Sequence, residues 1–244
     1  MKLCFVGNLS HTFARRDYDT LSEHFDVNVI QPPSSKVGWL RYPGLMKKKV
    51  KQADVVFCWF AGWHSAPAVH YAKLYGKKSL VVAGGYDAAD VPEISYGAFS
   101  NLKERVPAKY VLSHADLVLA VSMFTKKEIV KKVKVNDIKV VYNGVDTERF
   151  VPGNEKEDIA ITVSAVKWNN LRRKGIETFV QTAKLLPDIT FVVIGKCIDD
   201  SIKYLQSIAT DNVKFTGFIP DEDLLVWFQK AKVVCQLSYY EAFG

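Results

Sequence analysis

The stretch "YNGVDTERFVPGNEKED" at residues 142–158 decides how this chain is divided. On both sides of it, short apolar or β-branched runs alternate with amphipathic segments. The stretch itself holds an Asn-Gly turn, a Pro-Gly pair and a run of charged residues, which interrupt that periodicity. Such an interruption is typical of a linker. We therefore predict an amino-terminal domain of residues 1–145 and a carboxyl-terminal domain of residues 146–244.

The alternation of strand-like runs with helical segments predicts an α/β fold made of two Rossmann-like domains. The first domain contains the predicted strands "KLCFVG", "DVNVIQ", "ADVVFCWF", "KSLVVAGG", "ADLVLAVS" and "KVVYNG". The second contains "IAITVSAV", "TFVVIG", "VKFTG" and "AKVVCQLS", with a helix predicted to start at about Gly175. Because the second series has four strands and ends just after the last, we expect this domain to be incomplete in the chain.

Composition places the chain among globular proteins, with 244 residues, 48% hydrophobic and 24% charged. The longest apolar run, "VVFCWFAGW" at residues 55–63, has about half the length that a bilayer crossing needs. The amino terminus lacks the pattern of a secretory signal, which predicts a cytoplasmic protein. The four cysteines form no C-x-x-C pair, so we expect free thiols instead of a disulfide or a metal site.

Charge is distributed unevenly between the two predicted domains. Residues 1–145 hold 21 Lys and Arg against 12 Asp and Glu, whereas residues 146–244 hold 12 against 14. An excess of cations suits nucleic acid, phosphorylated substrates or an anionic membrane, and it also suits a simple solubilising surface. We predict no nucleic-acid partner and favour the solubilising surface for the scattered lysines.

The segment "KVGWLRYPGLMKKKVKQ" at residues 36–52 carries six cations and no acid, interleaved with apolar and aromatic residues. This composition is typical of a peripheral contact with the inner face of a membrane. The alternative is an ordinary solvated loop and helix. Both interpretations stay open on the sequence alone.

A basic segment follows the first strand of the second domain, where ligands of parallel α/β sheets bind. Within "WNNLRRKGIETFV", at residues 168–180, the cations Arg172, Arg173 and Lys174 precede Gly175 at the expected start of a helix. Unpaired N–H groups at a helix start and adjacent cations both favour a phosphate. A solvated basic turn is the competing interpretation.

Two loops of the first domain are predicted to lie at the equivalent edge of its sheet. Gly7 and Asn8 follow the first strand without the G-x-G-x-x-G pattern of a dinucleotide site, and Asp87 follows two glycines after the fourth strand. An Asp at that place can face a ligand or cap a helix. The D-x-D pairs at 17–19 and 221–223 fall at predicted helix starts, so we predict neither a metal nor a cofactor.

Four segments together resemble the GT-B glycosyltransferases, specifically the retaining family 4 group. They are the linker "VVYNGVDTERFVP", the segment "RRKGIETFVQTAKLLPDITFVVIG", the segment "VKFTGFIPDEDL" and the terminal "YYEAFG", which is similar to the first half of a Glu-x7-Glu motif. They lie between residues 140 and 244 in the order of the family. In the first half the resemblance rests on the order of the strands and on "DLVLAVSMFTKKEI".

The resemblance implies that a nucleotide-diphospho sugar donor binds the second domain, and that its sugar moves to a carbohydrate or lipid-linked acceptor with retained configuration and without a metal. Lys174 then matches the phosphate-binding lysine, and Glu241 matches the residue that contacts the donor sugar. Lys167 stands near the place of a family arginine that this chain lacks. The implied donor side also includes Arg172, Arg173, Gly175, Phe243 and Gly244. The implied acceptor side consists of Gly7, Asn8 and Asp87.

Two other functions stay open. The chain could be a binding module or an inactive truncated fragment, because the second Glu of the motif would fall five residues after Gly244. It could also be a nucleotide-sugar epimerase, since those enzymes share the GT-B architecture. The linker and the terminal "EAFG" residues favour the transferase.

Overall fold

The computed structural model of the protein describes residues 1–243, so the predicted donor residue Gly244 lies outside the described residues. The described chain divides into two compact units, unit 1 at Met1–Asn143 and unit 2 at Gly144–Ala242. Each unit is an α/β layer structure with a parallel sheet. The sequence placed the division two residues later.

Unit 1 is a six-stranded parallel sheet with strand order β2-β1-β3-β4-β5-β6. Its elements are β1 (Lys2–Val6), α1 (Thr12–His24), β2 (Asp26–Ile30), α2 (Lys36–Gln52), β3 (Val55–Trp59), α3 (Ala66–Leu74), β4 (Lys78–Ala83), α4 (Leu102–His114), β5 (Leu117–Ala120), α5 (Met123–Lys132) and β6 (Ile138–Val140). Near-continuous apolar strands form such sheets because both of their faces are covered by helices.

Successive residues of the central strands face opposite layers of unit 1. Cys4 and Val56 belong to the large core that α2, α3, α4 and α5 cover. Phe5 and Phe57 face the other way, where their rings stack at 5.4 Å between centroids, and Tyr18 of α1 meets the Phe5 ring edge-on. One helix therefore covers a face on which aromatic side chains fill much of the volume.

Helix α2 accounts for the basic segment at residues 36–52. Its amino end is capped by the Ser35 hydroxyl, which accepts a hydrogen bond from the Gly38 N–H at 3.1 Å. Tyr42, Met46 and Val50 recur at helical spacing and are buried in the core of unit 1. These apolar residues of the segment thus serve the fold.

Unit 2 contains a four-stranded parallel sheet with strand order β10-β7-β8-β9. Its elements are β7 (Glu157–Val163), α6 (Trp168–Arg173), α7 (Ile176–Thr182), β8 (Thr190–Ile194), α8 (Ser201–Ile208), β9 (Val213–Gly217), α9 (Asp221–Lys230) and β10 (Ala231–Val234). A single turn of 3₁₀ helix, Ala183–Leu185, extends α7.

The two faces of the unit 2 sheet are covered by different helices. On one face, Ile176 and Phe179 of α7 and Leu205 of α8 form a core with the strands. On the other face, Trp227 and Phe228 of α9 pack on β7 and β8. The chain therefore changes face when it passes from β9 through α9 to β10.

The sequence missed α6. The structure forms this six-residue helix before Gly175, and α7 begins one residue after it. Gly175 has a φ of +67°, in the left-handed region that glycine adopts without strain, and it separates the two helices. The single helix predicted from about Gly175 is thus preceded by a second, short one.

Candidate functional site

The connectivity of unit 2 places a crevice at the carboxyl ends of β7 and β10. The chain leaves β7 towards β8 and β9 on one side and returns to β10 on the other side. Ligands of open parallel sheets bind where the strand order reverses in this way. The segments that follow these two strands, residues 164–175 and 235–241, hold most of the residues predicted for the donor.

Lys174 and Glu241 form an ion pair at this edge. The Lys174 Nζ donates to Oε1 of Glu241, 67 residues further along the chain, and both side chains are about three-quarters buried. Gln236 Nε2 also donates to Glu241, at 2.8 Å. Burial opposes ionisation of Glu241, but these donors hold the pKa of its carboxyl below the ordinary value. The structure thus joins two residues that the sequence predicted separately.

Gly175 permits this arrangement because the main chain after β10 passes directly over it. A Cβ at residue 175 would lie 2.2 Å from the carbonyl oxygen of Leu237, closer than any side chain can approach. The Tyr239 N–H then donates to the Arg173 carbonyl at 2.9 Å. The segment carrying Glu241 is therefore held against the turn between α6 and α7.

The amides of Lys174 and Gly175, which precede α7, both have hydrogen-bond partners within the protein. The Lys174 N–H donates to the Asn170 carbonyl at 2.8 Å, and the Gly175 N–H donates to the Arg172 carbonyl at 3.2 Å. Gly175 is itself buried beneath Leu237. These two amides are therefore not available to an anion, and the N–H groups at the start of α7 begin with that of Ile176.

The arginines of the basic turn lie at the carboxyl end of α6, whereas the sequence predicted them at the amino end of a helix. Arg172 and Arg173 lie in the last turn of α6, where the helix dipole favours positive charge. The Arg172 guanidinium lies 6.0 Å from the centroid of the Tyr239 ring, and Arg173 donates to the Asn170 side chain at 2.8 Å. Their position is therefore favourable for the helix by itself, which removes one argument for a ligand.

Lys167 and Lys174 flank opposite ends of α6. Lys167 is the residue before α6, seven positions from Lys174 and therefore about 10 Å away along the axis of the helix. Asp199 is the charged group near it, and the Lys167 charge contributes to lowering the pKa of that carboxyl, after hydrogen bonds from Ser201 and Trp168. The exposed residue Phe243 follows Glu241 by two positions.

Gln236 and Tyr239 are the members of this edge that sequence reasoning missed. Gln236 follows an apolar strand and donates to Glu241, while the Tyr239 ring lies beside Arg172. A polar residue at the end of an apolar run was the available signal for Gln236. Tyr239 gave no comparable signal.

The loops of unit 1 lie where the sequence predicted them, at the carboxyl edge of the sheet. Gly7 is buried, and a Cβ there would lie 3.2 Å from the Phe5 ring and 3.3 Å from Cβ of Trp59. Asn8 Oδ1 accepts a hydrogen bond from the Ser10 N–H at 3.0 Å, which closes the turn between β1 and α1. The strand order of unit 1 also reverses here, between β1 and β3.

Asp87 has no exposed surface, so its carboxyl contacts protein instead of the solvent edge. It accepts hydrogen bonds from the N–H groups of Ala61, at 2.9 Å, and Gly85, at 3.3 Å, and so joins the loops after β3 and β4. Burial raises the pKa of this carboxyl to about 7, although backbone hydrogen bonds act in the opposite direction. Its position fits a residue that positions loops.

Among residues 1–243 there is no group of three His, Cys, Asp or Glu side chains arranged to bind a metal ion. The two D-x-D pairs belong to helices α1 and α9, and Asp17 accepts a hydrogen bond from the Trp59 indole at 2.9 Å. Within the described part of the chain, no helix combines the length and apolar character needed to cross a membrane.

Comparison with known families assigns the chain. The family model described as Glycosyltransferase Family 4 matches residues 7–149, and that of Glycosyl transferases group 1 matches residues 145–244. The protein belongs to glycosyltransferase family 4. The resemblance inferred from the linker, the basic turn and the terminal motif is thereby confirmed.

A relative outside the solved structures is an uncharacterized 41.2 kDa protein in the cps region of Klebsiella pneumoniae. It is 29% identical over an alignment of 156 positions that covers 58% of this chain. The match spans 40% of the length of that relative. The activity of a whole protein of this kind therefore enters here only as a proposal.

Solved structures confirm the predicted fold class. Sucrose-phosphate synthase from Thermosynechococcus elongatus matches all of this chain and 77% of its own, with a TM-score of 0.77 and 14% identity. Anabaena Alr3699/HepE, solved with UDP and glucose, matches 98% of this chain and 74% of its own, with a TM-score of 0.67 and 18% identity. UDP-GlcNAc 2-epimerase from Neisseria meningitidis matches 96% of this chain and 77% of its own, with a TM-score of 0.58 and 13% identity. At these identities the likeness shows the fold alone.

We predict that Gly175→Ala destabilises the family 4 protein far more than Gly76→Ala. Both glycines have a left-handed φ, +67° and +63°, so both substitutions carry a similar backbone cost of about 1 kcal/mol. Only the Cβ at residue 175 would meet Leu237, because no atom lies within 4 Å of the equivalent position at residue 76. Urea denaturation measures the difference, and equal losses for the two variants would contradict the close contact.

A second prediction concerns Asp87. Its pKa is about 7 in the folded protein and 3.8 in the unfolded chain, so over this range the folded state holds a proton that the unfolded state has lost. Stability should therefore fall as pH rises from about 5 to about 8, by about 2 to 3 kcal/mol from this group. Asp87→Asn should remove this component of the slope in urea denaturation.

Asp116→Asn is the matched control for that experiment. Hydrogen bonds from Lys78 and Ser79 lower the pKa of Asp116 against a desolvation that raises it. Its contribution to stability is thus present above the unfolded pKa and is lost only in more acidic solution. A parental slope that persists in Asp87→Asn would show that another group titrates.

Proposed function

We propose that the protein is a retaining, metal-independent glycosyltransferase that moves a sugar from a nucleotide-diphospho sugar to a carbohydrate or lipid-linked acceptor. The observation that carries the proposal is the pairing of Lys174 with Glu241 at the β7/β10 edge of unit 2, in a chain that belongs to glycosyltransferase family 4. A cation and a carboxylate together can contact the two chemically different halves of such a donor.

Lys174 suits the phosphate half. An ammonium group has three N–H donors, so the bond to Glu241 leaves donors for phosphate oxygens. Glu241 suits the sugar half, because a carboxylate accepts hydrogen bonds from sugar hydroxyls. Gln236, which already donates to Glu241, would orient that carboxylate. The ion pair then keeps both groups charged before the donor arrives.

The electrostatic contribution of Lys174 follows from the proposed reaction. When the bond between the anomeric carbon and the diphosphate breaks, negative charge develops on the departing phosphate oxygen. A cation fixed beside that oxygen lowers the barrier, since it requires little reorganisation during the reaction. Arg172 and Arg173 directly precede Lys174 and would add to the positive potential. Lys167 would act at the other end of α6.

Unit 1 would supply the acceptor side through the edge formed by Gly7 and Asn8. Its excess of cations suits an acceptor that carries a phosphate or lies at an anionic surface. Asp87 would act indirectly by holding the loops after β3 and β4, since its carboxyl has no exposed surface. The donor side and the acceptor side would thus belong to different units.

We expect Lys174→Ala to weaken binding of UDP-, GDP- or ADP-sugars by about tenfold to a hundredfold, the size of a hydrogen bond to a charged group. Thermal shift measures this, because a ligand that binds the native state alone raises its apparent stability. If none of these nucleotide sugars raises the melting temperature of the protein, the transferase proposal fails.

Lys184→Ala is the matched control, because Lys184 is an exposed lysine of the same unit in the 3₁₀ turn after α7. It should bind the nucleotide sugar as tightly as the parent. Glu241→Gln should retain nucleotide diphosphate binding and weaken discrimination between sugars. Unchanged affinity in Lys174→Ala would remove the phosphate role from this lysine.

Two alternatives remain distinguishable. Solved structures named as UDP-GlcNAc 2-epimerases share the fold at 12–13% identity. If this protein were such an enzyme, it would convert UDP-GlcNAc with no acceptor present. A binding module would show a nucleotide-dependent thermal shift and no turnover with any acceptor. The match of both family models along the chain supports the transferase.

We also propose that α2 makes a peripheral contact with an anionic membrane surface. The face of α2 opposite Tyr42, Met46 and Val50 carries Val37 and Leu40, and Leu40 is 83% exposed. Cations of the same helix, listed by position, are Lys36, Arg41, Lys47, Lys48, Lys49 and Lys51. Apolar side chains and cations on one helix favour an interface that offers both acyl chains and negative charge.

Sedimentation with vesicles tests this contact. The parent should sediment with phosphatidylserine-containing vesicles and remain in solution with neutral ones. Leu40→Asp should reduce recovery with the anionic vesicles several-fold, because it adds a negative charge and removes apolar surface. Leu185→Asp changes a leucine of unit 2 that is 71% exposed and should have no effect. Equal recovery with both vesicle types would refute the contact.

A further inference from the structure

Four aromatic side chains cluster at the point in unit 1 where the strand order reverses. His11 and Phe13 come from the turn and helix after β1, and Trp59 and Phe60 come from the end of β3. We call these four residues the aromatic shelf. Because β1 and β3 are neighbours whose connections leave in opposite directions, their carboxyl ends form the crevice in which an open parallel sheet binds ligands.

Phe13 is the centre of the aromatic shelf. Its ring lies 5.3 Å from His11 in a nearly parallel stack, 4.6 Å from Trp59 and 5.6 Å from Phe60, measured between ring centroids. Phe13 is 38% exposed, Phe60 is half-buried and Trp59 is buried. The shelf therefore has a buried base and an aromatic surface that solvent reaches.

Phe60 is held in this place by an unusual backbone conformation. Its φ of +68° lies in the left-handed region, which is disfavoured for a bulky residue. The Phe60 N–H donates to the Val82 carbonyl at 2.9 Å, and the Phe60 carbonyl accepts from the Ser65 hydroxyl at 2.8 Å. Asp87 fixes the next residue through the Ala61 N–H. The loop geometry is thus determined from both sides.

The neighbouring strand leaves room for the Phe60 ring. A Cβ at Gly84 would lie 2.4 Å from Cε1 of Phe60, so a side chain there would displace the ring. Strained conformations of this kind persist where surrounding contacts enforce them, and they are frequent at ligand sites. The fold therefore holds a half-buried aromatic ring at this edge in a conformation that its neighbours enforce.

We propose that the aromatic shelf binds the C–H face of a pyranose ring, and that the acceptor therefore presents a sugar at the carboxyl edge of unit 1. This proposal rests on the proposed transferase function and names the chemical class of its acceptor. The face of an aromatic ring has a negative electrostatic potential, so it attracts the polarised C–H groups on one side of a sugar. The hydroxyls of the sugar then remain for polar groups.

The geometry of the shelf favours a sugar over a nucleobase. The rings of Phe13 and Phe60 meet at 88°, so together they form a corner instead of a flat platform. A puckered pyranose directs C–H groups at both walls, whereas a planar base stacks on one wall and meets the other only with its edge. Asn8 and Ser10 lie in the same turn and carry the amide and hydroxyl groups that pair with sugar hydroxyls.

Titration of the full chain with methyl α-D-glucopyranoside, methyl α-D-mannopyranoside and methyl α-D-galactopyranoside, followed by saturation-transfer NMR, tests the proposal. We expect Phe13→Leu to weaken the tightest of these by about tenfold and Phe13→Tyr to stay within about twofold of the parent. Phe60→Gly should cause a similar loss, and glycine adopts the observed φ without strain.

Trp39→Leu is the control, since Trp39 of α2 has the same 38% exposure as Phe13 and lies outside the shelf. Its affinity for the glycosides should be unchanged. Equal affinity of Phe13→Leu and the parent would overturn the proposal, as would an absence of saturation transfer to all three glycosides. The proposal would also be overturned if uridine displaced the glycoside and bound Phe13→Leu more weakly than the parent, because the shelf would then bind a nucleoside.

The same variants are tested with UDP by thermal shift, which separates this proposal from the transferase function. If the shelf variants lose the glycoside and keep the response to UDP, both proposals are supported. If the parent shows no response to any nucleotide, the transferase proposal fails, and the glycoside titration still decides what the shelf binds.

Discussion

The close approach of Leu237 to Gly175 is the constraint on which the candidate donor edge depends. At this point the backbone after β10 occupies the space that any side chain at residue 175 would need. The contact fixes where the terminal segment lies, and it places the Glu241 carboxylate on the Lys174 ammonium. Because Gly175 also separates α6 from α7, one residue controls both the helix boundary and the arrival of the second segment.

The two units use the same topological rule at different ends of the chain. In unit 1 the strand order reverses between β1 and β3, and in unit 2 between β7 and β10. Each reversal leaves a crevice that no crossover helix covers. Charged side chains lie at the edge in unit 2, and aromatic side chains lie at the edge in unit 1. This difference in chemistry matches the proposed charged donor at one edge and the proposed sugar of the acceptor at the other.

Both edges contain features that a fold selected only for stability would avoid. Asp87 is a fully buried carboxyl, and desolvation makes its ionised form costly even with several backbone donors around it. Phe60 has a left-handed backbone conformation, and Lys174 and Glu241 are largely withdrawn from water. These costs are concentrated beyond the carboxyl ends of strands, while the apolar layers beneath are closely packed. That distribution is typical of ligand sites.

The sequence by itself determined the architecture, because apolar strands alternate with helical segments and a turn-rich linker divides them. It also singled out Lys174 and Glu241 through the resemblance to the family. It did not determine α2 fully, because Pro43 and two glycines lie within that helix, or the boundary between α6 and α7, because both segments are short. Only the tertiary structure decided that Lys174 meets Glu241, that Asp87 is buried and that Phe13 meets Phe60. The physical reason is that local periodicity depends on neighbouring residues, whereas these contacts depend on the order of strands in the sheet.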